Sequence, residues 1–266
     1  MNEKEVNNIK SLTPTEQKIY SELYSERVVT TDDIKEILNK NQRAVDYITN
    51  LRQKGYFKKI RKGLYAIAPP NMLNTNDFSP DKFLIANKIK DESYISHHSA
   101  LEFHGLAQTI QNRVYITSKT TSKPLKYMDI EYKIITTKHY FGFEKRNHLN
   151  TSINVSDKEK TILDCIRNNK YAGGIEELIK SFEGLPTVDW RSLLQYMEKI
   201  DEKNLYQKTG FIFEKLSLNF PEDVEDKMLS KIGKKTYYLE KNKDSFYVDK
   251  WNLMVPKKFE EWIKSA

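Results

Sequence analysis

Between Asn41 and Lys62 stand the side chains best suited to meeting a polyanion. Asn41 and Gln42 carry amides that can bond adenine through two hydrogen bonds, and Arg43 carries the fork that guanine accepts. Tyr47, one helical turn on, can reach a phosphate or a sugar. Arg52, Lys54, Lys58, Lys59, Arg61 and Lys62 follow, with no Asp or Glu between Asp46 and Asp77. Such one-sided charge suits a polyphosphate, because each neutralised phosphate releases condensed counterions. The candidate DNA-binding set is therefore Thr31, Asn41, Gln42, Arg43, Tyr47, Lys54, Lys58, Lys59, Arg61 and Lys62. Within it, residues 41–43 address base edges, while the later cations hold backbone or send one side chain into the minor groove. Two plainer readings stand beside this one. Asn41 can serve only as a helix cap, and the whole stretch can be the solvated basic face of a protein-interaction domain.

Positioning these groups requires a helix and a hairpin. Ala44, Val45, Ile48 and Leu51 fall at helical spacing, and Gly55 follows as the C-terminal stop. Arg61-Lys62-Gly63 then marks a tight turn between Tyr56–Ile60 and Leu64–Ile67, with Gly63 supplying the left-handed residue. Upstream, Thr13, Pro14 and Glu16 spell a capping box with proline at the first helical position. The buried side of that helix is predicted at Ile19, Tyr20, Leu23 and Tyr24. Val28-Val29 is extended, and Thr30 or Thr31 caps a second helix with Ile34, Ile37 and Leu38 inward. Helix, helix, turn, helix, hairpin is the order of a winged helix-turn-helix, whose third helix enters the major groove.

Residues 69–76 (PPNMLNTN) are rich in proline and asparagine and lack periodicity. The expected organisation is a DNA-binding domain at 1–70, a linker at 71–77 and a second domain at 78–266. In the second domain, helices are predicted over 80–89, 96–105, 175–182, 189–200, 205–216 and 259–263, with a capping box opening another at Ser156-Asp157-Lys158-Glu159. Strands are predicted at 94–95, 113–117, 130–134, 153–155, 237–239 and 246–248. The fold class is α+β: an N-terminal winged helix-turn-helix followed by a mixed α/β domain.

The chain has 266 residues and a net charge of +7, which is common among nucleic-acid binders. Its one cysteine, Cys165, lies in a helical pattern, so a reduced, cytoplasmic setting is expected. The polar start does not read as a signal peptide, and no apolar run nears the roughly 18 residues of a membrane span. His97, His98 and His104 share no clean helical face, which favours packing over zinc. Asp129-x-Glu131-x-Lys133 could serve a metal-dependent nuclease, but charges alternating on a wet strand explain it more simply. Phosphate-loop and Asp-x-Asp nucleotidyltransferase motifs are absent. No metal or cofactor is expected. Lys119, Lys123, Lys126 and Lys133 gather around one hairpin and could extend a nucleic-acid path.

The run YISHHSALEFHGL at 94–106 resembles a signature of AbiEi-type antitoxins, the DNA-binding half of type IV abortive-infection toxin–antitoxin systems. A second run, VSDKEKTILDC at 155–165 with Ala172-Gly173-Gly174-Ile175 after it, is similar to another. Tyr237-Tyr238-Leu239 and Lys250-Trp251 resemble family C-terminal segments. The resemblance implies a non-enzymatic repressor that binds repeats in its own promoter and counteracts a nucleotidyltransferase-like toxin without a stable complex. A winged-helix regulator whose second domain senses a ligand or protein is the alternative; a nuclease is the remoter one.

Overall fold

The computed structural model describes residues 11–39, 43–73, 78–185, 187–218 and 221–264. Its contacts divide into two compact units, Met1–Ser93 with Lys145–Ile153, and Tyr94–Glu144 with Asn154–Ala266.

In the first unit, α1 (Pro14–Leu23) opens with a complete capping box: Thr13 and Glu16 each accept the other's backbone N–H. Strand β1 (Val28–Thr30) leads into α2 (Thr31–Ile37), where Thr30 and Asp33 make the same reciprocal cap. Helix α3 (Ala44–Gln53) buries Ala44, Ile48 and Leu51. Val45, expected on that inner face, is instead 59% exposed, because it sits about 100° round the helix from Ala44. The helix ends in a Schellman turn: Tyr56 N–H reaches Leu51 O and Gly55 N–H reaches Arg52 O, with Gly55 at φ +88°.

Strands β2 (Phe57–Arg61) and β3 (Leu64–Ile67) then form the expected hairpin, turning at Gly63 with φ +82°. Both of its pairings are antiparallel, in the order β1-β3-β2. Ile19, Leu23, Val29, Ile34, Ile48, Leu51, Phe57 and Ile67 form the core beneath. Helix α4 (Lys82–Ile89), capped by Asp81, belongs to this unit rather than to the one after it. Its Lys88 reaches Asp33 at 3.1 Å and Glu26 at 3.5 Å.

The remaining elements are β4 (Ser93–Ile95), α5 (His97–Phe103), β5 (Arg113–Ser118), β6 (Leu125–Tyr127), β7 (Ile130–Thr136), β8 (Phe143–His148) and β9 (Thr151–Ser156). Five helices follow: α6 (Lys158–Arg167), α7 (Ile175–Glu183), α8 (Trp190–Ile200), α9 (Lys203–Lys215) and α10 (Glu222–Ser230). Strands β10 (Tyr237–Tyr238), β11 (Ser245–Val248) and β12 (Leu253–Pro256) precede α11 (Phe259–Lys264). One sheet runs β6-β7-β5-β4-β9-β8, with β5 parallel to β7 and β4 parallel to β9; a small one runs β10-β12-β11. The architecture is thus mixed, with helices and several sheets, consistent with α+β. One cap differs from expectation: Asp157, not Ser156, caps α6. The Ser96 hydroxyl at the start of α5 bonds the His97 and Thr117 side chains and not the helix.

Candidate nucleic-acid interface

Helix α3 and the hairpin after it share an open cleft of about 570 Å³, lined by Thr49, Arg52, Gln53, Phe57, Lys58 and Lys59. The tight Schellman turn folds β2 back beside the last turns of the helix. Three cations therefore line one concave surface without an acid among its lining residues. Lys62, in the hairpin turn, is exposed as well.

The residues predicted to bind DNA divide into distinct groups here. Asn41 and Gln42 lie outside the described residues. Arg43 holds the N-cap position of α3 and is exposed, its carbonyl accepting from Asp46 and Tyr47. Tyr47 is half-buried and packs against the core of its unit. Thr31 is half-buried, and its N–H donates to Gly63 O at 3.0 Å, joining α2 to the hairpin turn. Lys59 and Lys62 are exposed, and among the described residues their side chains have no hydrogen-bond or ion-pair partner.

Three of the cations have internal partners. Lys54 Nζ lies 2.6 Å from Glu16 Oε2 and 2.9 Å from Ser11 O. Glu16 is 1% exposed there. Burial works to raise its carboxyl pKa, but hydrogen bonds from Lys54 and Thr13 outweigh that and hold it below the usual value. Lys58 Nζ donates to Leu73 O at 3.2 Å. Arg61 Nη2 donates to Ile89 O at the end of α4. Thr49, Arg52 and Gln53 were absent from the predicted set. Their spacing of three and four residues does put them on one helix face, opposite Leu51.

In the second unit, residues 94–106 and 155–165 pack together. Ile95 pairs with Val155 across parallel strands, and His104 Nε2 contacts Ser156 O at 2.8 Å. Lys160, 1% exposed, lies 2.6 Å from Asp164 Oδ1 and 3.3 Å from the Tyr94 hydroxyl. Burial raises the Tyr94 hydroxyl and Cys165 thiol pKa values well above their ordinary range, so both stay protonated at neutral pH. The three histidines diverge. His97 Nδ1 meets Ser96 Oγ at 3.0 Å, His98 Nε2 faces Glu177 at 3.4 Å, and His104 bonds the backbone. Burial lowers the His97 pKa to about 4, which keeps it neutral.

Asp129 is exposed, Glu131 pairs with Arg113 at 2.6 Å, and Lys133 lies over the Tyr171 ring. They do not converge, and the described residues contain no group of three His, Cys, Asp or Glu placed to hold a metal. Lys119, Lys123 and Lys126 are exposed, with Lys119 over the Tyr140 ring. No described helix is long and apolar enough to cross a membrane.

No protein-family model matches the chain, and no curated protein matches it. The crystal structure of the RV2827C protein from Mycobacterium tuberculosis superposes with a TM-score of 0.63 over 94% of each chain, at 15% sequence identity. At that identity the likeness is one of fold, and it extends across both units of the chain.

Proposed function

We propose that the first unit is a winged helix-turn-helix that binds double-stranded DNA, and that the protein represses transcription from its own promoter. The observation that carries this reading is a set of exposed cations on α3 and its hairpin: Arg52 and Lys59 in the cleft, Arg43 at the N-cap and Lys62 in the hairpin turn. The element order and the β1-β3-β2 sheet support it. Arg43 stands where α3 begins, the part that addresses base edges in such folds, while Lys59 and Lys62 are placed for backbone. A gel-shift titration on the DNA just upstream of its own gene tests the reading. Arg43→Ala should relax discrimination at one base pair by about 1–3 kcal/mol. Lys59→Ala and Lys62→Ala should weaken all sequences alike, each lowering the salt slope by about one. Equal operator affinity for wild type and the Arg43/Lys59/Lys62 triple alanine variant would overturn it.

Antitoxin action is proposed from the sequence resemblance alone. The two runs that carry it form one packed structure around Lys160, Asp164 and Tyr94. On this reading the protein is a non-enzymatic cytoplasmic partner of a nucleotidyltransferase-like toxin encoded beside it. Co-expression with the adjacent gene product should restore growth that the product alone arrests. Undiminished arrest at matched protein levels would count against it.

A further inference from the structure

We propose that the first unit also contains a binding site for a small apolar monocarboxylate. The site is a cavity of about 310 Å³ walled by Phe78, Pro80, Leu84 and Leu149, with Arg27 and Asn150 among its polar lining. Its volume is at the small end for ligand pockets, enough for about ten non-hydrogen atoms. Most of its exposed wall is apolar, which favours a ring or a short branched chain over a hydrated inorganic ion.

Arg27 supplies the charge. Its guanidinium lies 4.3 Å from the Tyr24 ring centroid, and among the described residues no carboxylate comes within ion-pair distance of it. Asp81 is the one acid in the wall and is already committed. Its Oδ1 accepts from the Phe83 and Leu84 amides at 2.8 and 3.1 Å, and His148 Nε2 lies 3.0 Å away. Arg27 thus lines an apolar cavity with no ion-pair partner of its own among the described residues, and such a residue is complementary to a carboxylate on an apolar body.

The backbone gives independent support. Arg27, Leu149 and Asn150 all have positive φ, at 61°, 50° and 66°. Leu149 and Asn150 form the two-residue turn between β8 and β9, a position that ordinarily selects asparagine and glycine. A leucine held there is strained, and it is also 59% exposed at the rim. Arg27 and Leu149 are thus two strained residues on one cavity, and functional sites are places where such strain is kept. Leu84 lies on α4, whose far end accepts from Arg61, so an occupant would touch the helix that braces the hairpin.

The test is a titration of the ¹⁵N-labelled full-length protein, followed by NMR, with benzoate, benzyl alcohol and inorganic phosphate. Benzoate should shift the amides of Arg27, Leu84, Leu149 and Asn150 saturably, with a dissociation constant on the order of 0.1–1 mM. Benzyl alcohol should bind at least fivefold more weakly. Arg27→Gln should lower benzoate affinity to that level, and Leu149→Gly, which relieves the turn while stripping the wall, should weaken benzoate and benzyl alcohol alike. No saturable shift with benzoate, an unchanged affinity in Arg27→Gln, or equal shifts with phosphate would overturn the proposal. None of these outcomes depends on DNA binding.

Discussion

Lys54 and Lys59 are five residues apart and carry the same charge, yet their surroundings give them different work. Lys54 neutralises a buried carboxylate, so Lys54→Met should cost about 2–4 kcal/mol in urea denaturation by leaving Glu16 unpaired. The same substitution should leave the salt slope of DNA binding unchanged, whereas Lys59→Ala should do the reverse. The sequence showed the acid-free run but not this division. The partner of Lys54 is 38 residues away and that of Arg61 is 28, and a local charge count sees neither. His97 makes a prediction about pH. Its folded pKa of about 4 lies below the unfolded value, so the unfolded chain binds the proton first as pH falls. The stability that neutral His97 contributes is complete above about pH 6.5 and is lost down to about pH 4, by up to about 3 kcal/mol. In His97→Gln the difference in unfolding free energy between pH 7 and pH 4.5 should shrink by comparable measure.

Among the elements, close packing of glycine decides two positions. A Cβ at Gly55 would meet Leu73 O at 2.6 Å, and φ is +88°. Gly55→Ala should therefore cost at least about 2 kcal/mol and loosen the α3-to-β2 turn that forms the cationic cleft. In α9, a Cβ at Gly210 would come 2.0 Å from the fully buried Trp251 ring. Gly210→Ala should lower the thermal midpoint by several degrees through overpacking. Elements with clear caps and strong periodicity, such as α1, α8 and the β2–β3 hairpin, were legible in sequence. Strand β8 was not, because FEKRNH is charged and mostly exposed and takes its place from its pairing rather than from alternation. Helix α10 was missed for a related reason: only Val224 and Met228 of its nine residues are buried. Val45 shows the limit of spacing arguments, since it fits the apolar pattern of α3 but sits just beyond the covered arc.

For the whole molecule, the decisive feature is the path of the chain. The Pro69–Asn76 stretch looked like a boundary because composition registers a pause in periodicity. It does not register that α4 and residues 145–153 return to the elements before the pause. Thr151 Oγ1 donates to Ser25 O at 3.1 Å, and Lys88 Nζ on α4 to Asp33 Oδ2 at 3.1 Å. A chain of residues 1–77 would lack those partners and the carbonyl that holds Arg61. Its amide spectrum should be poorly dispersed and its melting broad, while the intact protein melts cooperatively.

A unit assembled from two separated stretches of chain cannot be lifted out with one pair of cuts. Recombination that exchanges only the front of the gene would orphan the turn at Leu149-Asn150. If the first unit reads DNA as proposed, a new sequence preference is therefore acquired more easily by point changes on α3 and its hairpin than by exchanging the unit as a cassette.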